Sequence, residues 1–104
     1  MGAVCHGPAA LVAATSIEGK PIVLGLRVSS FTNSEEAAVG LTAVMPFLLQ
    51  TRLTELGARF EAAPDFTEHA VRSGHLVTGQ NPQSTAAVAT LLLAVMREHM
   101  PTLA

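Results

Sequence analysis

Cys5 and His6 are the neighbouring residues near the N-terminus whose side chains can perform covalent chemistry. The cysteine lies between a short apolar stretch typical of a strand and the segment Gly7-Pro8, which favours a turn into a helix. A strand–turn–helix of this kind is a nucleophile elbow, which exposes the side chain and aims backbone N–H groups at it. We expect the helix N-terminus to lower the pKa of Cys5, Gly7 to permit the tight backbone, and His6 to carry the proton. The alternative is a buried thiol that acts as a small hydrophobic side chain.

Two adjacent carboxylates, Glu35 and Glu36, are candidates for an acidic group that orients the histidine. Thr32 and Glu35 have the spacing of a capping box, and Asn33 and Glu36 have the same spacing with asparagine in place of serine or threonine. The residues alone therefore favour a capping role for both carboxylates at the start of a helix.

The remaining histidines are widely separated, and there is no second cysteine, so the sequence gives little support for a zinc site. His69 is expected at a strand edge, and His75 and His99 are expected in solvent, His99 near a helix C-terminus. Gln80 and Asn81 are expected to be turn and capping residues.

Composition narrows the class of protein. The 104 residues suit one small domain, and 49% hydrophobic with 13% charged residues excludes a disordered chain. A net charge of −2, no basic cluster, four Phe and no Trp or Tyr argue against a nucleic-acid partner. One cysteine favours a reducing compartment, and the longest apolar run, 86–96, is too short for a membrane span. With no signal peptide evident, we expect a cytoplasmic protein without a cofactor, metal or membrane partner.

The pattern of elements predicts a mixed α/β chain. A short nucleophile strand leads into a helix over 9–14, and a helix opening at Thr32 continues to Gly57 with a kink or new start at Pro46. Further extended segments are expected at 22–24, 28–31 and 58–62.

The C-terminal third predicts a β-hairpin followed by a helix. Residues 70–78 form the hairpin with Ser73-Gly74 as its turn, and Asn81-Pro82 begins a helix to about His99. That helix is apolar on nearly every face and is expected to be buried from several sides. Since a central parallel strand needs neighbours on both sides, we infer that part of the sheet and its cover lie outside this chain.

The segment Val4–Leu11 resembles the nucleophile segment of the ThiJ/PfpI superfamily, also described as class I glutamine amidotransferase-like. Further segments resemble the same family in the same order: 19–21, 31–36, 39–42, 45–49, 56–58 and 76–82. The stretch Phe31–Glu36 is similar to the chaperone/glyoxalase III branch. The resemblance covers nearly the whole chain, but only the C-terminal half of the family fold.

The resemblance implies a flavodoxin-like three-layer α/β sandwich, of which residues 1–104 would be a single partial domain lacking the N-terminal half. It implies a catalytic Cys5, a neighbouring His6 and an acidic third member at Glu36, with Glu35 as the fallback. Gly7 would serve the oxyanion, and His69 falls where some relatives have a pocket residue. The missing half would supply a glutamate at the cysteine and further oxyanion donors. The family also implies a homodimer; a complementing N-terminal half is the other partner we expect.

The activity implied is that of a glutathione-independent glyoxalase, which converts methylglyoxal to lactate, or of a protein deglycase with chaperone-like activity. The alternatives are a cysteine peptidase, amidase or amidotransferase-like hydrolase, and a non-catalytic fragment or holdase chaperone. Ala43 stands where relatives often have an aspartate.

Overall fold

Five strands form two small sheets in the computed structural model, which describes residues 1–99. The strands are β1 Gly2–Val4, β2 Arg27–Val28, β3 Arg59–Phe60, β4 Ala70–Ser73 and β5 Leu76–Gly79. The larger sheet has the order β1-β5-β4, in which β1 runs parallel and β4 antiparallel to β5. Strands β2 and β3 pair in parallel. Within residues 1–99, β1 therefore has a strand neighbour on one side only.

Among residues 1–99, three α-helices and two 3-10 helices connect and cover the strands. The α-helices are α1 Asn33–Ala38, α2 Leu49–Glu55 and α3 Thr85–His99; the 3-10 helices are Gly7–Leu11 and Pro82–Ser84. Every helix among these residues is too short to cross a membrane.

Both faces of the larger sheet are packed. Consecutive residues of a strand point to opposite faces, so Leu76 and Val77 of β5 lie on different sides of the sheet. On one face Leu76 packs with buried residues of the first 3-10 helix, β2 and α2, and on the other Val77 packs with α3. The first cluster comprises Leu11, Val23, Val28, Leu49, Leu53, Ala58 and Leu76. The second comprises Val77, Val88 and Val95. This layering confirms the predicted α/β class.

A glycine allows α3 to approach the sheet closely. A Cβ atom built on Gly79 would lie 2.5 Å from Val88 Cγ2 and 3.1 Å from Ser84 Cβ and from Val4 Cγ2. Any side chain here would push α3 away from the end of β5, next to which Cys5 lies.

Several predicted elements are confirmed, namely β1, β3, the hairpin and the C-terminal helix that follows Asn81-Pro82. The strand predicted at 22–24 is wrong. These residues form a turn in which Leu24 N donates to Pro21 O, and Gly25 follows with φ +77°. Val23 lies in this turn and is fully buried, so its apolar side chain indicates burial and not a strand.

The helical segment predicted from Thr32 to Gly57, with a kink or a new start at Pro46, is two short helices, and the second begins three residues after Pro46. Helix α1 ends at Ala38, and Gly40 follows with φ +74°, a left-handed conformation that breaks the helix. Helix α2 begins at Leu49, and Gly57, with φ +91°, ends it as predicted.

The helix predicted over 9–14 is a five-residue 3-10 helix that begins at Gly7. The hairpin turn is Gly74-His75, one residue beyond the predicted pair. Helix α3 buries Val88 and Val95, while Leu93 and Met96 are exposed, so residues 1–99 do not bury this helix from several sides.

Candidate active site

Cys5 lies on a strained bend at the carboxyl end of β1. Its φ is +63°, a left-handed conformation that costs a non-glycine residue about 1–3 kcal/mol. Two hydrogen bonds hold the bend, because Cys5 N donates to Gly79 O at 3.0 Å and Phe31 N donates to Cys5 O at 2.9 Å. The side chain is partly exposed, as a nucleophile elbow requires.

The conformational strain is located at Cys5 itself and not at Gly7. Gly7 does not have a left-handed φ, and a Cβ built on it would make only an ordinary contact, 3.4 Å from Ala3 Cβ. The prediction that Gly7 permits the tight backbone is therefore wrong. Gly7 is exposed at the first position of the 3-10 helix, and its part in binding an oxyanion stays a prediction.

Cys5, His6 and Glu36 form a continuous chain of polar contacts. Cys5 Sγ lies 3.5 Å from His6 Nδ1, and His6 Nε2 lies 2.7 Å from Glu36 Oε2. The imidazole is partly exposed, whereas Glu36 is 1% exposed. The second oxygen of Glu36, Oε1, is buried without a hydrogen-bond partner among residues 1–99.

This arrangement determines which nitrogen of a neutral His6 carries the proton. A carboxylate only accepts hydrogen bonds, so Nε2 must donate to Glu36 Oε2. Nδ1 is then left with a free lone pair directed at Cys5 Sγ. The geometry suits transfer of the thiol proton to His6, with Glu36 stabilising the resulting imidazolium.

Burial raises the pKa of the Cys5 thiol above its ordinary value, and the negative charges of Glu35 and Glu36 add to this effect. A hydrogen bond from the backbone N–H of His6 offsets part of it. The prediction that a helix N-terminus lowers the pKa of Cys5 is thus wrong. Among residues 1–99, only a short 3-10 helix follows the cysteine. A thiol of this kind depends on a base to remove its proton.

Glu35 has a different environment from Glu36, although the two are adjacent. Its Oε1 accepts from the backbone N–H and the hydroxyl of Thr32, and its Oε2 accepts from Phe66 N and Asn81 Nδ2. Burial opposes its charge, but the hydrogen bonds from Asn81, Phe66 and Thr32 outweigh it and hold the pKa of Glu35 below its ordinary value. The predicted capping box of Thr32 and Glu35 is confirmed. Glu36 contacts the histidine, while Glu35 holds the local structure together.

The sequence alone assigns no function to two aromatic residues, Phe31 beside the histidine and Phe66 beside Phe31. The ring of Phe31 lies 4.6 Å from that of His6 between centroids, and the ring of Phe66 lies 5.8 Å from Phe31 in an edge-on arrangement. Phe66 also has a left-handed φ of +55°. The Pro, Asp and Thr residues around Phe66 predict a turn, but they do not predict that this turn places the ring of Phe66 near that of Phe31.

Asn81 links three elements in the interior. It is fully buried, donates through Nδ2 to Glu35 Oε2 and Thr67 O, and accepts from Ser84 Oγ. The predicted capping position is confirmed, but its side chain makes no capping hydrogen bond to the following helix. The links to Glu35 and Thr67 need long-range contacts that the sequence does not show.

His69 does not join Cys5, His6 and Glu36. Its Nε2 is 3.8 Å from Glu61 Oε1, and its backbone N–H donates to Ser84 Oγ. Its assignment to the pocket stays a prediction. Among residues 1–99, no group of three His, Cys, Asp or Glu side chains is arranged to hold a metal ion.

Comparisons with known proteins place this site in a wider context. No family model matches the chain. It is 32% identical to the glutathione-independent glyoxalase hsp3101 of Schizosaccharomyces pombe over 98% of its own length and 45% of the relative. It is 35% identical to the glutamine amidotransferase-like class 1 domain-containing protein 1 of Bos taurus over 88% of its length and 41% of the relative.

The fold of the chain is also similar to that of a solved glyoxalase structure. The crystal structure of glyoxalase III from Candida albicans superposes with a TM-score of 0.84 at 29% identity, covering 90% of this chain and 42% of that one. The chain spans less than half the length of the curated relatives that it matches, between 40% and 45%.

Proposed function

We propose that this chain corresponds to the C-terminal half of a ThiJ/PfpI-superfamily protein and provides the reactive cysteine of a glutathione-independent glyoxalase. Its similarity to glyoxalases over less than half of their length supports the proposal. The observation that carries the proposal is the continuous contact from Cys5 Sγ through His6 to Glu36 Oε2. Cys5 would be the nucleophile, His6 the base and Glu36 the group that orients the base.

The first step of the proposed reaction is addition of the thiol to the aldehyde carbon of methylglyoxal. The proton of Cys5 Sγ moves to His6 Nδ1 as the sulfur–carbon bond forms, and the imidazolium returns a proton to the new oxyanion. The product is a hemithioacetal. Because the thiol pKa is raised by burial, this step depends on the base rather than on a standing population of thiolate.

The second step moves hydrogen within the bound substrate. A base removes the proton from the former aldehyde carbon, a proton is returned to the neighbouring carbon, and the hydroxyl proton moves from the first oxygen to the second, which converts the hemithioacetal to a thioester of lactate. Water then hydrolyses the thioester, releasing lactate and restoring the thiol. The proposed reaction consumes one water and needs no external oxidant or reductant.

The test is lactate formation from methylglyoxal by the chain, alone and mixed with the N-terminal part of a relative. Replacement of Cys5 by Ala should abolish the activity, and replacement of His6 by Ala should lower it by about 10²–10⁴-fold. His75→Ala is the matched control, because His75 is an exposed histidine on the hairpin turn. Undiminished turnover by the Cys5→Ala variant would rule out the proposal.

Partners follow from the same comparison. Because β1 has one strand neighbour within residues 1–99 and the relatives are more than twice as long, we propose that the other side of β1 pairs with a complementing N-terminal half. A homodimer is the further assembly that we propose. An increase in the unfolding midpoint on adding the complementary half supports the first, and a doubled mass in sedimentation supports the second. The single cysteine favours the cytoplasm.

A holdase chaperone is the second candidate function. Large apolar side chains are exposed on the segment that follows α1 and on α3, including Val44 at 69% and Leu93 at 50%. Exposed apolar surface of this kind binds unfolded clients. Suppression of client aggregation that survives Cys5→Ala would favour this function, and release of ammonia or cleaved peptide would favour a hydrolase.

A further inference from the structure

We propose that Phe66 is a positioning residue, which holds the imidazole of His6 in place through the ring of Phe31. The inference rests on the proposed function for the identity of the reacting group. Its evidence is the left-handed backbone at Phe66 and two ring contacts, that of Phe66 with Phe31 and that of Phe31 with His6.

The strain at Phe66 requires an explanation. Among residues 1–99, the non-glycine residues with left-handed φ are Cys5 at +63° and Phe66 at +55°. A bulky side chain is a genuine outlier in this region, which glycine and asparagine occupy readily. Such outliers persist only where the surrounding structure imposes them, and they cluster at functional sites. The nucleophile elbow accounts for Cys5, whereas Phe66 lies on a separate turn.

Hydrogen bonds from two other elements impose the conformation of this turn. Phe66 N donates to Glu35 Oε2 at 2.8 Å, and the carbonyl of the next residue, Thr67, accepts from Asn81 Nδ2 at 2.7 Å. On the other side, Ser34 Oγ donates to Asp65 Oδ2 at 2.8 Å. The turn is therefore fixed to α1 and to Asn81, the residue before the second 3-10 helix.

These backbone contacts do not by themselves require phenylalanine. The bond to Glu35 comes from a backbone N–H, which a glycine would provide without strain. The feature that phenylalanine adds is its ring, which lies 5.8 Å from the ring of Phe31 at an interplanar angle of 66°. We therefore attribute the stabilisation that offsets the backbone strain at Phe66 to its aromatic contact with Phe31.

The ring of Phe31 transmits this contact to the histidine. Phe31 is 4% exposed, and its ring lies 4.6 Å from the imidazole of His6. The imidazole must direct Nδ1 at the sulfur and Nε2 at the carboxylate at the same time, which only a narrow range of ring orientations allows. With the ring of Phe66 also in contact with it, Phe31 restricts the rotation of the imidazole.

The experiment measures the rate of alkylation of Cys5 by iodoacetamide as a function of pH. Phe66→Gly should lower the rate at neutral pH about fivefold, because a misaligned base removes the thiol proton less often. Phe66→Trp keeps an aromatic ring and should restore the rate to within about twofold. Phe47→Gly is the matched control, since Phe47 is a part-exposed phenylalanine of a different segment.

A double-mutant cycle separates positioning from general destabilisation. In the His6→Ala background, Phe66→Gly should have no further effect on the rate, because the group that it positions is gone. An equal loss in both backgrounds, or no loss when His6 is present, would overturn the proposal. Phe66→Leu is judged by the same criterion if Phe66→Gly shows no cooperative unfolding in urea. If alkylation does not respond to His6→Ala at all, the proposed function fails as well, whereas a response to His6 but not to Phe66 rejects positioning alone.

Discussion

The buried polar residues beneath α1 and the apolar residues on the outer face of α3 differ in how far other residues of this chain cover them. Glu35, Glu36 and Asn81 are at most 1% exposed, and each makes side-chain hydrogen bonds to other residues of this chain. On α3, Leu93 and Met96 are 50% and 46% exposed. The contrast teaches that the candidate site takes its geometry from this chain, whereas the outer face of α3 leaves apolar surface for contacts from outside it.

The largest expected effect is on the carboxylate that contacts the histidine. Glu36→Gln keeps the shape of the side chain but removes the charge that stabilises the imidazolium, so lactate formation should fall about a hundredfold or more. Stopped-flow or endpoint assays of lactate measure this fall in the rate of lactate formation. An activity that is unchanged in Glu36→Gln but lost in Glu35→Gln would reverse the roles that the geometry gives them.

Glu35→Gln should act on stability instead. An amide would direct two N–H groups at donors that now point at a carboxylate, which costs about 1–3 kcal/mol in the free energy of unfolding. Urea denaturation at neutral pH measures the loss. Wild-type stability in this variant would show that the four hydrogen bonds contribute nothing net.

The same carboxylate gives the chain a pH dependence. Since the pKa of Glu35 is lowered in the folded state, its contribution is fully present above the unfolded-state pKa of about 4.3 and is lost as the pH falls through the lower folded-state value. The acid limb of a stability–pH curve should therefore be less steep in Glu35→Gln than in the parent. Identical acid limbs would contradict the assignment.

Gly79→Ala tests how closely the sheet and α3 approach each other. The added methyl group would lie 2.5 Å from Val88 Cγ2, so the unfolding free energy should fall by about 1–3 kcal/mol. Val88→Ala in the same chain makes room for the methyl group, so the two changes should be less than additive. Strict additivity would show that the clash is relieved elsewhere.

The smallest effect is expected on the outer face of α3. Leu93→Lys should change the unfolding free energy by less than about 0.5 kcal/mol, because the side chain is half exposed. The matched control is Leu53→Ala, where a fully buried leucine is truncated at a cost of about 2–5 kcal/mol. A large loss from Leu93→Lys in the isolated chain would mean that this face is already covered by a second copy, which sedimentation would detect.

The sequence predicts the elements near the site better than those remote from it. The turn after β1, the cap at Thr32 and the start of the last helix depend on local signals, namely an apolar run before Cys5-His6-Gly7-Pro8, a capping box, and Asn-Pro. The segment 22–24 was expected as a strand because three apolar residues follow one another, but the left-handed Gly25 turns the chain. Burial of Val23 in a turn depends on tertiary packing, which a run of three residues does not encode.

The candidate site shows the same division between local and long-range information. Adjacency predicts that Cys5 and His6 are close, and family resemblance selects Glu36 over Glu35. The raised thiol pKa, the hydrogen bonds to Glu35 and the strained Phe66 arise from groups up to 46 positions apart in sequence, such as Asn81 and Glu35. Periodicity and spacing carry no information about such contacts.

The central claim is that Glu36 fixes the proton of neutral His6 on Nε2 and leaves Nδ1 free to accept the proton of Cys5. Nitrogen-15 NMR of the labelled imidazole reports this tautomer directly, without a substrate. The account predicts a protonated Nε2 and an unprotonated Nδ1 for His6, with this preference lost in Glu36→Ala. A proton on Nδ1, or two nitrogens that average between tautomers in the parent chain, would contradict it.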